Sequence, residues 1–146
     1  MKKQIPFFNY AALFEREEKD LMPIIQDVLR RGAYIMQKDL LQFEANLGKY
    51  LGVKHVIGVA DGTVALMMGL RAAGVKQGDE VIVPSHTFVA SAAAIHHVGG
   101  TPVLADCGPD HLLDAPSVAR KITGRTRAIM PVQLNGRTAN MDGIVA

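Results

Sequence analysis

The chain has 146 residues, enough for one core-bearing domain, and its formal net charge of +2 gives no case for binding nucleic acid or a membrane surface. Hydrophobic residues make up 49% and charged residues 21%, which is a globular composition and not a disordered one. A single cysteine, Cys107, excludes an internal disulfide framework and a cysteine metal cluster, and fits a reducing compartment. No stretch has the length of a membrane span, and Met1-Lys2-Lys3-Gln4-Ile5-Pro6 has no apolar signal core behind it. The expected location is therefore the cytoplasm.

An irregular lead, Ile5-Pro6-Phe7-Phe8-Asn9-Tyr10, passes into the charged, solvated face of residues 13–20. Pro23 suits the first turn of a helix in which Ile24, Ile25, Val28 and Leu29 recur at helical spacing. Arg30-Arg31-Gly32 reads as its end, and residues 32–35 as a loop. A second amphipathic helix is expected over residues 39–51, with Leu40, Phe43, Leu47 and Leu51 on one side and Gly52 as the stop.

From residue 55 the pattern alternates between strand and helix. Strands are expected at 55–60, 80–84, 101–106 and 127–132. Helices are expected at 62–73 (apolar almost all round, hence buried on several sides), 87–98, 115–122 with Asp114 as cap, and from about Asn140 to the last residue, Ala146. Such alternation indicates βα units and a mostly parallel sheet. The expected class is α/β, a three-layer sandwich over residues 55–146, preceded by an N-terminal helical segment over residues 1–54.

In such sheets ligands collect beyond the carboxyl ends of the strands. Asp61-Gly62-Thr63 lies at one such end, where a strand delivers the chain to a helix start. Unpaired N–H groups and the helix dipole suit an anion there, Gly62 lets the backbone approach it, and Thr63 adds a hydroxyl. On these residues alone, a helix cap by Asp61 is the simpler reading. The other strand ends carry Ser85-His86-Thr87-Phe88, Asp106 and Gln133-Leu134-Asn135.

Five motifs then occur in order: Asp61-Gly62-Thr63-x-Ala65-Leu66; Gly78-Asp79-Glu80-Val81-Ile82-Val83-Pro84-x-His86-Thr87-Phe88; Gly100-Thr101-Pro102-Val103-x-x-Asp106; Ile129-x-Pro131-Val132; and Asn140-Met141-Asp142. The leader adds Ile5-Pro6-Phe7, Gly32-x-Tyr34-Ile35 and Phe43-Glu44. The ordered set resembles the DegT/DnrJ/EryC1/StrS family of nucleotide-sugar aminotransferases, pyridoxal 5'-phosphate (PLP) enzymes of the aspartate-aminotransferase fold.

The resemblance implies roles residue by residue. Gly62 and Thr63 would hold the cofactor phosphate, with the Val64 N–H as a further donor, and Phe88 would stack on the pyridine ring. Without the family, Phe88 reads as a core aromatic at a helix start. His86 either lines the pocket or packs at its strand end. Gln133 and Asn135 either reach cofactor or sugar, or make turn hydrogen bonds around Gly136. Tyr34 would lie near the substrate mouth. Asp106 is expected to orient loops at the sheet edge.

The chain departs from the family at Asp61, where a small neutral residue is usual. A carboxylate facing a phosphate is repulsive, so Asp61 should turn away or cap the helix. Met36-Gln37-Lys38 also replaces an expected glycine.

The implied activity is transfer of an amino group, from glutamate, to a nucleotide-linked keto-sugar in polysaccharide or antibiotic sugar biosynthesis. The implied parent is a homodimer. The family's Schiff-base lysine, its pyridine-nitrogen aspartate and a glutamine near the ring hydroxyl lie downstream of every motif here. No lysine from Lys2 to Lys121 is expected at a strand end, so no catalytic residue is assigned, and the chain is expected to be an inactive N-terminal part of the parent. Three alternatives stand beside this: a non-catalytic binding remnant, a PLP-dependent sugar dehydratase of the same family, and a different α/β phosphate-binding domain. The absence of a Gly-x-Gly-x-x-Gly disfavours a dinucleotide binder.

Overall fold

The structure is a computed structural model and describes residues 7–146. The leader expectation at Ile5-Pro6 lies outside the described residues. The chain forms two compact units, Met1–Gly58 and Val59–Ala146.

In the first unit, α1 spans Tyr10–Arg30 and α2 spans Lys38–Leu51. Asn9 caps α1 by accepting the Ala12 N–H at 3.2 Å. Pro23 lies inside α1 and not at a helix start. The cap at Asn9 nucleates the helix upstream of Pro23, so the charged face over 13–20 and the apolar positions after 23 belong to one helix. Gly52, at φ 67°, ends α2 and reverses the chain.

The strand expected at 55–60 does not form. Within the first unit, residues 55–58 run back along α2 as a strap. The Gly58 N–H donates to the Glu44 carboxylate at 2.7 Å, so this backbone group is spent on a side chain and not on a ladder. Two glycines permit the approach. A Cβ on Gly48 would stand 3.3 Å from the Val53 carbonyl, and one on Gly58 would overlap Leu40. Among the α2 positions expected on one face, Leu40 and Leu47 are half-buried, whereas Phe43 and Leu51 are exposed.

The second unit holds three strands, not four: β1 (Glu80–Pro84), β2 (Thr101–Ala105) and β3 (Thr126–Ile129). All pairings are parallel and the order is β2-β1-β3. β3 ends earlier than expected. Met130 still donates to the Ile82 carbonyl at 2.8 Å, but Pro131 has no N–H to continue the ladder.

Helices α3 (Gly62–Ala72) and α4 (Ala90–His97) cover one face, and α5 (Ala115–Lys121) and α6 (Met141–Val145) the other. The central strand shows why. Val81 and Val83 pack with Leu70, Ala94, Ile95 and Val98, while Ile82 points the opposite way onto Ala105, Leu113 and Val118. That is the expected three-layer α/β arrangement. One expectation fails within it: α3 is covered on one face only, and Met68 is exposed.

At the amino ends of the strands, the buried Glu80 accepts from Thr123 Oγ1 and from the Arg125 guanidinium. These contacts, Thr123 first and then Arg125, hold its carboxyl below the usual carboxylate range.

Candidate functional site at the carboxyl edge of the sheet

The order β2-β1-β3 creates a switch point. After β1 the chain leaves toward α4 on one face, and after β3 it leaves toward α6 on the other. The crevice between two such exits is where open α/β sheets take ligands. A cleft of about 490 Å³ lies there, lined by Gly62, Thr63, Leu66, Thr87, Phe88, Ala90, Ser91, Val132 and Leu134. This volume falls within the range of small-molecule sites.

Asp61 fixes the α3 end of the cleft. It is the N-cap, and its Oδ1 accepts the Val64 N–H at 2.9 Å. The carboxylate thus caps the helix, as its charge requires. The Val64 N–H, expected at the phosphate, is engaged by Asp61 in this structure. The N–H groups of Gly62 and Thr63 occupy the first two helical positions, where no intrahelical acceptor exists. A Cβ built on Gly62 would meet nothing within 4 Å, so open space lies beside this turn. The residues fit a phosphate with an aromatic ring attached. There are two unspent N–H donors, the Thr63 hydroxyl, a positive helix end, and the Phe88 ring, 74% exposed.

Phe88 is available because α4 starts at Ala90 and not at residue 87. Residues 85–88 form a bend, Ser91 N–H donates to the Phe88 carbonyl at 3.1 Å, and the ring is left out of the core. The core-aromatic alternative for Phe88 is thereby excluded. Thr87 Oγ1 and Ser91 Oγ lie 3.0 Å apart. Neither side chain is among the site residues that the sequence implies. Their i,i+4 spacing around Phe88 was the available signal, since it places both on one helical face.

The other expected residues sit elsewhere. His86 is exposed and stands edge-on to His111, with ring centroids 6.0 Å apart. Gln133 folds into the turn that follows β3. Its Oε1 accepts the Ala139 N–H at 2.6 Å and its Nε2 faces Met141 Sδ at 3.5 Å. Asn135 occupies the left-handed region at φ 55° within the 3-10 turn Leu134–Gly136. Both residues therefore serve the turn in this structure, and neither lies at a strand end. Tyr34 belongs to the first unit, where it is 74% exposed beside Ile35 and Met36. Asp106, expected to orient loops, is joined instead to α5. Ser117 Oγ donates to its carboxylate at 3.1 Å and accepts its N–H at 3.0 Å.

Among the described residues, no lysine lines the cleft. In the second unit, Lys76 lies with Arg125 and Arg127 at the amino ends of the strands, and Lys121 is the last residue of α5.

The DegT/DnrJ/EryC1/StrS aminotransferase family matches residues 15–146. The chain is 41% identical over 142 residues to dTDP-3-amino-3,4,6-trideoxy-alpha-D-glucose transaminase of Streptomyces venezuelae, covering 97% of this chain and 38% of that protein. Its fold superposes with a TM-score of 0.91 on S. venezuelae DesV, at 40% identity, over 99% of this chain and 39% of the other. It matches NtdA of Bacillus subtilis, solved with bound cofactor PMP, with a TM-score of 0.89 at 34% identity, over 98% of this chain and 34% of the other. The chain thus spans about two fifths of the length of the relatives it matches.

Proposed function

The chain belongs to the DegT/DnrJ/EryC1/StrS aminotransferase family, and from that premise we propose that its second unit forms the phosphate and ring-face half of a PLP site. The carrying observation is one cleft that joins the first turn of α3 to Phe88. The Gly62 and Thr63 N–H groups and the Thr63 hydroxyl bind the phosphate. Phe88 covers a ring face and excludes water from it. Asp61 holds the turn in shape while its charge is spent on the Val64 N–H. Bound PLP supplies the electron sink that amino-group transfer requires.

The whole protein's activity in this proposal is transfer of an amino group, from glutamate, to a nucleotide-linked keto-sugar. The sugar-transaminase relative supports it. We further propose that the protein acts as a homodimer in the cytoplasm. Support comes from exposed apolar side chains such as Tyr34, Ile35 and Met36, which a partner would cover, and from the free thiol of Cys107.

The test is a titration with PLP followed by its absorbance. Wild type is expected to saturate. Gly62→Asp, which places an anion where the phosphate binds, is expected to weaken binding at least about tenfold with an unchanged melting temperature. Equal binding by both proteins overturns the phosphate seat.

A further inference from the structure

Among the described residues whose side chains line the cleft, only Thr63, Thr87 and Ser91 are polar. Thr63 belongs to the phosphate seat. The other two form a hydroxyl pair at 3.0 Å whose purpose the seat does not explain. Ser91 is 5% exposed, and Thr87 is half-buried at the cleft wall.

Either hydroxyl could donate on geometry, and burial favours one direction. The pair has two hydroxyl protons and uses one internally. If Thr87 donated, the surplus proton would sit on Ser91, the more buried of the two cleft-lining hydroxyls, whose hydrogen-bond partner among the described residues is Thr87. A buried, unmatched donor is costly. If Ser91 donates, its hydroxyl is satisfied, and the surplus proton belongs to Thr87, the more open of the two. Donation by Ser91 also polarises the Thr87 O–H, which strengthens it as a donor.

We propose that Thr87 is a further cofactor-binding residue, donating its hydroxyl proton to an acceptor oxygen of the phosphorylated pyridine, and that Ser91 is its positioning residue. This rests on the PLP reading of the cleft. Thr87 immediately precedes Phe88, so ring cover and hydroxyl donor come from one bend. Ser91, in the first turn of α4, holds the Thr87 hydroxyl at 3.0 Å across the bend.

The experiment measures equilibrium binding of pyridoxamine 5'-phosphate, which needs no covalent attachment, in the absence of any sugar. A sugar-directed donor therefore has no effect on the readout. Thr87→Val is expected to weaken binding about three- to tenfold, the range for one lost hydrogen bond. Thr87→Ser should restore it. Ser91→Ala should lose less than Thr87→Val, because the donor remains but is unanchored. The double variant Thr87→Val/Ser91→Ala should bind no more weakly than Thr87→Val alone, since Ser91 acts only through Thr87. A purely structural role would move melting temperatures without this rescue and without this non-additivity. Wild-type affinity in Thr87→Val, or additive losses in the double variant, overturns the proposal and leaves the PLP reading standing. Failure of the wild-type protein to bind the probe overturns both.

Discussion

Asp61 shows how one carboxylate can sit beside an anion seat without opposing it. Its Oδ1 accepts the Val64 N–H at 2.9 Å, so the charge faces the positive end of α3. Asp61→Ala removes this cap and is expected to cost about 1 kcal/mol, read as a lower denaturation midpoint. Asp61→Asn keeps an acceptor oxygen and should retain most of that stability. Gly62 is separable from the fold, because a Cβ there meets nothing within 4 Å. The loss of cofactor binding expected for Gly62→Asp should therefore come without loss of stability. Residue-scale chemistry of this kind was legible in the sequence, since a cap and its helix are neighbours in the chain. The Thr87–Ser91 pair was less so, because its meaning depends on the burial of one partner.

At the scale of elements, β1 carries the second unit, and it is buried along its whole length. Ile95 of α4 is fully buried against it, so Ile95→Ala should cost about 2–5 kcal/mol in chemical denaturation, through lost burial and the cavity left behind. Glu80 ties the amino end of β1 to Thr123 and Arg125, just before β3. Its folded pKa is depressed, so its contribution to stability is present above the unfolded carboxylate pKa and disappears as pH falls through the folded one. Wild type should therefore lose its advantage over Glu80→Gln as pH drops below about 4. Urea midpoints of the two proteins at neutral and acid pH check this. If the gap between them does not narrow, the network is not what stabilises that end of the sheet.

At the scale of the molecule, the sheet order places α3, the bend at 85–88 and the exit from β3 around one crevice. Lys76 and Lys121 lie outside that crevice. Borohydride reduction in the presence of PLP is thus expected to label no single lysine of this chain stoichiometrically, as read by peptide mass. A dominant adduct on one of them would require a site different from the one proposed.

The sequence by itself determined the βα alternation, the caps at Asp61 and Asp114, the stops at Gly52 and Pro84, and the ordered motifs that identify the family. Each of these is written in residues close together in the chain. Tertiary structure alone decided that residues 55–60 form no strand and that residues 55–58 become a strap held by Glu44, because a strand exists only through a partner that its own residues do not name. It also decided that Gln133 closes a turn, that Phe88 stands clear of the core, and that Ser91 is buried behind Thr87. Those outcomes depend on which distant groups compete for the same hydrogen bond or the same apolar surface, and local pattern does not encode that competition.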